Sequence, residues 1–257
     1  MTKFYEVRRR DGAARTGKLS VEENYIQTPL MLRVDTISKK KGELEVFNVE
    51  NPNFDDLSSE EAWDAPRGVV LLPEVHPLFT KVKEAPMFAD FFVLSFASNL
   101  LNSPRDFVRR VIDARNAIPP DVALWVPAIA TAENAALMFY MGVDIIDDTN
   151  AVLKGCQGIY LMEDGEVRLN ELDELPCNCR VCTSLSIDAL KQKNNKERAA
   201  LIAKHNTLVL DKEVKKSRAC IRAGNLREYV EMRVRSSHFL TAVLRILDCE
   251  EAAYFER

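Results

Sequence analysis

Hydrophobic and polar positions first alternate along this chain, then gather into continuous apolar blocks, and finally recur at helical spacing. In FYEVRRRDGAARTGKLSV the pair Asp11-Gly12 stands between two strand-like segments, so the pattern predicts a β-hairpin. Tyr25 to Val34 (YIQTPLMLRV) is another extended run, interrupted by Pro29. After the lysines Lys39 to Lys41, LEVFNV reads as a short alternating strand, and Asn51 to Pro66 as a polar, acidic surface connection.

Next come four apolar blocks: GVVLLPE (68–74), FFVLSFA (91–97), ALWVPAIA (123–130) and VDIID (143–147). Blocks without alternation predict strands buried on both faces, hence parallel pairing. Ser103-Pro104 supplies a cap and a first-turn proline for a helix over PRDFVRRVIDARNA, and Thr131 is expected to cap TAENAALMFYMG, ending at Gly142. Strand alternating with helix is the unit of a barrel or a doubly wound sheet. Beyond Asp148, GCQGIYLMEDGEVRLNELDELP predicts two strands around an Asp164-Gly165 turn. The rest is expected to be helical over 186–203, 206–222, 226–234 and 238–247, with Gly224 separating the second helix from the third. The expected organisation is one structural unit in two parts, a β/α core over residues 1–150 and a metal-binding subdomain with closing helices over 151–257.

Composition narrows the class. Of 257 residues 47% are hydrophobic, which suits a globular core. The absence of a run of about 18 apolar residues, and of an apolar signal core near the start, leads to the expectation of a cytoplasmic chain with no membrane span. Six unevenly spaced cysteines fit a reducing compartment with a metal site better than a disulfide framework. The net charge of −4 hides segregation: Ala189 to Arg235 holds 13 Lys/Arg against 5 Asp/Glu, a local +8. That stretch is either a set of solvated helix faces or a surface that meets phosphates.

The strongest chemical signal is PCNCRVC followed by AKHN. Cys177, Cys179 and Cys182 with His205 supply four N/S ligands for a tetrahedral, structural Zn2+. All four positions would be held by protein, leaving none for an activated water. Cys156, Cys220 and Cys249 are not expected to be ligands. His76 and His238 have no accompanying ligand motif, and Trp125 is expected in the core.

These segments together resemble the tRNA-guanine transglycosylase family. RRDGAARTGKLSV with IQTP is similar to its amino-terminal signature, MGVDIIDD to its G-x-D-x-x-D strand, PCNCRVC with HN to its zinc motif, and IRAGNLREYVEMR to its terminal helices. The resemblance implies a zinc-containing TIM-type (β/α) barrel that exchanges guanine in tRNA for a 7-deazaguanine base, with Asp147 at the nucleophile position. It also implies that the zinc region forms an oligomer interface. Two departures matter. The family's D-S-G-G-F-Q segment is absent, and no Gly-Gly-rich strand end closes over the base. Too few residues separate IQTP from MGVDIIDD for the full set of strands, so the barrel is expected to be shortened or incomplete, with an inserted zinc knuckle and C-terminal helices. This pattern resembles the transglycosylase-like domain of the archaeosine synthase alpha subunit, which implies work on tRNA already carrying 7-cyano-7-deazaguanine.

The resemblance further implies a companion chain with catalytic and PUA-type domains, and a radical-SAM partner. Lys212, Lys215, Lys216 and Arg218 are the expected tRNA contacts. Asp147 is either a nucleophile or a relic that holds loops together, its repulsion with Asp144 and Asp148 relieved by exposure. Three functions compete: a dependent subunit of an archaeosine-forming enzyme, an active base-exchange enzyme, and a zinc-dependent assembly domain. Guanine exchange into tRNA separates the enzymes from the rest.

Overall fold

A computed structural model describes residues 4–21, 24–34, 48–50, 67–71, 89–94 and 97–255. The expected hairpin is β1 (Tyr5–Asp11) and β2 (Ala14–Val21), paired antiparallel and turning at Gly12 with φ 59°. A third strand, β3 (Asn24–Thr28), pairs with β2. Pro29 separates β3 from β4 (Leu30–Leu32), which joins a different sheet. A proline has no N–H for the ladder, so the break between sheets falls there.

Among the described residues the second sheet is parallel and six-stranded. Its other members are β5 (Asn48–Glu50), β6 (Arg67–Leu71), β7 (Phe91–Leu94), β8 (Ala123–Trp125) and β9 (Ile145–Asp147). Their order is β4-β9-β8-β7-β6-β5. Apart from β4, each strand lies beside its sequence neighbour, while β4 pairs with the last, β9.

Both faces of this sheet are covered, which accounts for the unbroken apolar blocks. Phe91, Val93, Ala123 and Ile145 pack with Tyr5 and Leu19 of the antiparallel sheet. Phe92, Leu94, Leu124 and Ile146 point the other way, into the large core shared with the helices.

Helix α1 (Pro104–Ala117) occupies the expected residues, with the Ser103 side chain accepting the Asp106 N–H. Helix α2 (Ala135–Tyr140) is shorter than expected: Thr131 and Asn134 bond each other's backbone in a turn, and the helix starts after it. Helix α3 (Thr149–Cys156) was not anticipated. The strands β10 (Ile159–Leu161) and β11 (Glu166–Arg168) form the expected second hairpin.

The helical tail is divided differently from the sequence reading. A short α4 (Ile187–Gln192) ends at extended Lys193, and α5 (Asn195–Ala223) then runs unbroken for 29 residues. Asn194 caps α5 by accepting the Glu197 N–H, so the interruption falls there and not at 203–206. Gly224, φ 72°, closes α5 in the left-handed conformation that glycine adopts without strain. Helices α6 (Leu226–Arg233), α7 (His238–Glu250) and α8 (Ala252–Phe255) complete the chain. At Gly155 a Cβ would lie 2.5 Å from the Ala203 backbone, so glycine is what lets α3 pack directly on α5. No helix among the described residues is long and apolar enough to cross a membrane.

Candidate functional site

The knuckle is assembled from two directions. Residues after β11 bring Cys177, Cys179 and Cys182 together, and α5 delivers His205 from its third turn, so that the four ligand atoms lie within 4.8 Å of one another. Cys179 Sγ is 3.6 Å from Cys182 Sγ, and His205 Nδ1 is 3.4 and 3.3 Å from those sulfurs. Metal–sulfur bonds of about 2.3 Å and a metal–nitrogen bond of about 2.0 Å imply tetrahedral edges of about 3.8 and 3.5 Å. The donor set therefore fits a tetrahedral cation that accepts thiolate and imidazole.

The shell around the donors orients them. His205 Nε2 lies 2.9 Å from the Leu161 carbonyl, which can only accept, so Nε2 carries the proton and the Nδ1 lone pair faces the sulfurs. Tyr160 stacks on the imidazole at 3.8 Å and its hydroxyl lies 3.2 Å from Cys182 Sγ. Burial pushes the Cys182 thiol up to about 12 and lowers His205. A metal must displace the thiol protons, so loading is favoured as pH rises. Next in sequence, Asn206 accepts the Leu161 N–H and donates to the Ala151 and Ile159 carbonyls, fixing β10 to α5. Cys156, Cys220 and Cys249 lie outside the cluster.

Asp147 ends β9, as expected for a residue at the carboxyl end of a parallel strand, but it is 1% exposed. Its carboxylate accepts from Trp125 Nε1 at 3.1 Å, from the Ala128 N–H at 3.1 Å and from the Thr149 N–H at 3.0 Å. Both oxygens are engaged in joining the loop after β8 to the start of α3. The idea that exposure relieves repulsion among the neighbouring aspartates is overturned, because Asp144 and Asp148 are buried as well. Each is instead given its own donors. Asp148 accepts from the Val34 N–H and from the Thr207 hydroxyl. Asp144 faces Arg15, Arg115 and the Tyr5 hydroxyl.

Trp125 is only half-buried, and its indole N–H serves Asp147, a role that sequence reasoning missed when it placed the residue in the core. Ala128 was missed too. It sits at φ 62°, a left-handed conformation that costs an L-residue roughly 1–2 kcal/mol. Replacing Ala128 by glycine keeps the N–H that Asp147 accepts and removes this strain. The expected result is about 1 kcal/mol of added stability in denaturant melts, and a loss of stability would show that the side chain's own packing matters more.

The basic residues diverge. Lys212 is exposed and pairs with Glu163, Lys215 pairs with Asp211 at 2.6 Å, and the Lys216 ammonium lies 4.6 Å over the Tyr229 ring. Arg218 is half-buried and donates to the Gln27 and Pro29 carbonyls, tying α5 to the β3–β4 junction. A groove of about 1020 Å³ beside the knuckle is lined by Tyr160, Arg180, His205, Lys212, Lys215 and Arg233, among others. His238 is exposed at the start of α7. Glu74, His76, Trp63, Lys39 to Lys41 and the whole acidic connection from Asn51 to Pro66 lie outside the described residues.

A parallel-sheet α/β protein with a Cys3His set able to hold a metal is the class that the fold and the site define. A family model for queuine tRNA-ribosyltransferase (TGT) matches residues 87–238. The chain belongs to that family. It is similar to the archaeosine synthase subunit alpha of Methanosarcina acetivorans, with 32% identity over 97% of this chain and 46% of the relative. To the archaeosine synthase of Haloferax volcanii it is 34% identical over 96% of this chain and 43% of the relative. To the tRNA-guanine(15) transglycosylase of Methanosphaera stadtmanae it is 42% identical over 44% of this chain and 17% of that protein. The chain thus spans about half the length of the archaeosine synthase relatives.

Proposed function

We propose that this chain is the transglycosylase-like part of an archaeosine-forming tRNA-modification enzyme, acting on tRNA that carries a 7-deazaguanine base in its D-loop. The observation that carries this reading is the contrast in coverage: the archaeosine synthases align with 97% and 96% of the chain, the transglycosylase with 44%. The chain has no base-exchange activity of its own. Support comes from Asp147, whose oxygens are both occupied by structural donors, and from the missing D-S-G-G-F-Q segment. A nucleophile must be aimed at the reacting carbon, and lost positioning is worth as much as about 7–11 kcal/mol of barrier.

The expected result is no incorporation of radiolabelled guanine into unmodified tRNA by the purified chain, with Asp147→Ala indistinguishable from wild type. Robust exchange that disappears in Asp147→Ala overturns the reading.

The fold in this proposal is a shortened TIM-type barrel. The β4–β9 pairing supports it, because a last strand pairing with the first is how a barrel closes. Residues 1–150 would form its core and 151–257 a zinc-binding subdomain and closing helices, as one unit. Cys177, Cys179, Cys182 and His205 would hold one structural Zn2+. Lysine transfer to the 7-cyano-7-deazaguanine base would come from a companion chain carrying catalytic and PUA-type domains, working with a radical-SAM partner. Self-association would use the zinc region, and the setting would be the cytoplasm.

Contact with tRNA phosphates is assigned to Lys212, Lys215, Lys216 and Arg218. Reversing Lys212, Lys215 and Lys216 together is expected to weaken tRNA binding and to reduce the log–log salt slope by about 0.9 per lost duplex contact. An unchanged slope removes the helix from the interface.

A further inference from the structure

At the opposite end of β9 from Asp147, the loop Ile118–Val122 meets β1, β2 and the end of α1 around a pocket of about 300 Å³. Its lining includes Arg10, Arg15, Arg115, Asn116 and Tyr254. Arg15 and Arg115 are 2% and 8% exposed, and the carboxylate that faces them both is Asp144. Arg15 makes the bidentate pair, Nε and Nη2 each donating at 2.6 Å, whereas Arg115 Nη1 stands 3.6 Å from Asp144 Oδ2.

Backbone carbonyls take up much of what remains. Pro120 and Val122 accept from Arg15, while Ile118, Pro119 and Val122 accept from Arg115. Arg10, on the exposed rim, also donates to Pro120. Carbonyls supply dipoles and no net charge. Among the described residues that line the pocket or pair with its lining, three guanidiniums meet one carboxylate, Asp144, which leaves two positive charges in excess, one of them buried. The cost is visible at Arg115, where burial and then the like charge of Arg15 hold the guanidinium down at about 10. No described acceptor lies on Arg115 Nε, and one N–H of Arg15 Nη1 is likewise unused.

We propose that this pocket binds a phosphate group. A phosphate dianion carries about −1.5 to −2 at neutral pH, which matches the excess. The remaining N–H groups of Arg15 Nη1 and Arg115 Nε, with the exposed Arg10, would supply charge-assisted donors to its oxygens. The volume is at the small end for ligand pockets and large enough for a phosphate. The phosphate is either a free ion or the terminal group of a nucleic acid strand. This site is independent of Asp147 and of the base-exchange question.

The test uses the purified chain and three probes at constant ionic strength: inorganic phosphate, a trinucleotide RNA with a 5′-phosphate, and the same RNA with a 5′-hydroxyl. Calorimetry is expected to show saturable binding of inorganic phosphate over a chloride background, weakened at least tenfold in Arg10→Gln. Asn116→Asp, which places a carboxylate on the wall, is expected to abolish phosphate binding and to raise the melting temperature without phosphate. Tighter binding of the 5′-phosphorylated RNA than of its 5′-hydroxyl form assigns the site to a strand end. Equal, weak binding of the two RNAs with retained phosphate binding assigns it to the free ion. No saturable phosphate binding in the wild type, or binding unchanged in both variants, overturns the proposal whatever the exchange assay shows.

Discussion

Replacing Cys182 by serine is expected to abolish metal binding at the Cys3His cluster and unfold the knuckle, and with it the β10–β11 hairpin. The reach of the effect follows from the contacts. Cys182 lies against His205 and Tyr160, and His205 holds the Leu161 carbonyl through Nε2. In isolated knuckles, zinc binding supplies about 10–16 kcal/mol of folding free energy. Here the large core is packed from residues other than the knuckle ligands, so only part of that is expected to be lost globally. At about 2–4 °C per kcal/mol for a chain of this size, a loss of several kcal/mol lowers the melting temperature by on the order of 10 °C. Elemental analysis is expected to give one zinc per wild-type chain and well under one in Cys182→Ser. Limited proteolysis should open the stretch between β11 and α4 in the variant. Cys249→Ser, outside the cluster, should change neither. Wild-type protein purified with no zinc, or a variant that melts like wild type, rules out the site.

The difference between what sequence showed and what it hid is largely one of distance along the chain. Asp11-Gly12, Ser103-Pro104, Gly224 and the C-x-C-x-x-C spacing are signals a few residues long, and each marked a feature found in the structure. The apolar block ALWVPAIA marked β8 but overstated it, because Pro127 and left-handed Ala128 end the strand after Trp125. Helix α3 was missed because eight residues of which only Ala151 and Gly155 are buried carry almost no helical period. The unbroken α5 was divided at His205 and Asn206, polar residues that look like a helix boundary. Both are spent on side-chain bonds to β10 while their backbone stays helical. The donors to Asp147 come from Trp125, Ala128 and Thr149, three separate segments, and no local spacing points to them.

The largest loss of stability outside the knuckle is expected from Asp144→Asn. Asp144 is 0% exposed and binds Arg15 through two 2.6 Å bonds, accepts the Tyr5 hydroxyl and accepts the Leu124 N–H at 2.8 Å. Burial opposes the charge on Arg15, yet Asp144 outweighs it and keeps that guanidinium above its usual value. Asparagine preserves size and one acceptor but removes the charge, leaving two buried guanidiniums with no carboxylate to face. Breaking a buried pair this way costs about 3–5 kcal/mol, mostly the price of the stranded charge. A surface pair such as Asp211–Lys215 contributes about 0–1 kcal/mol, so Asp211→Asn is the matched control. Urea melts of the two variants measure the contrast. Since Arg15 and Asp144 join β2 to the start of β9, the Asp144 variant should also release the antiparallel sheet from the parallel one, read as faster amide exchange in β1–β3. A cost below about 1 kcal/mol for Asp144→Asn would mean that the carbonyls of the 118–122 loop hold the arginines unaided, and that the first aspartate of GVDIIDD is dispensable to the fold.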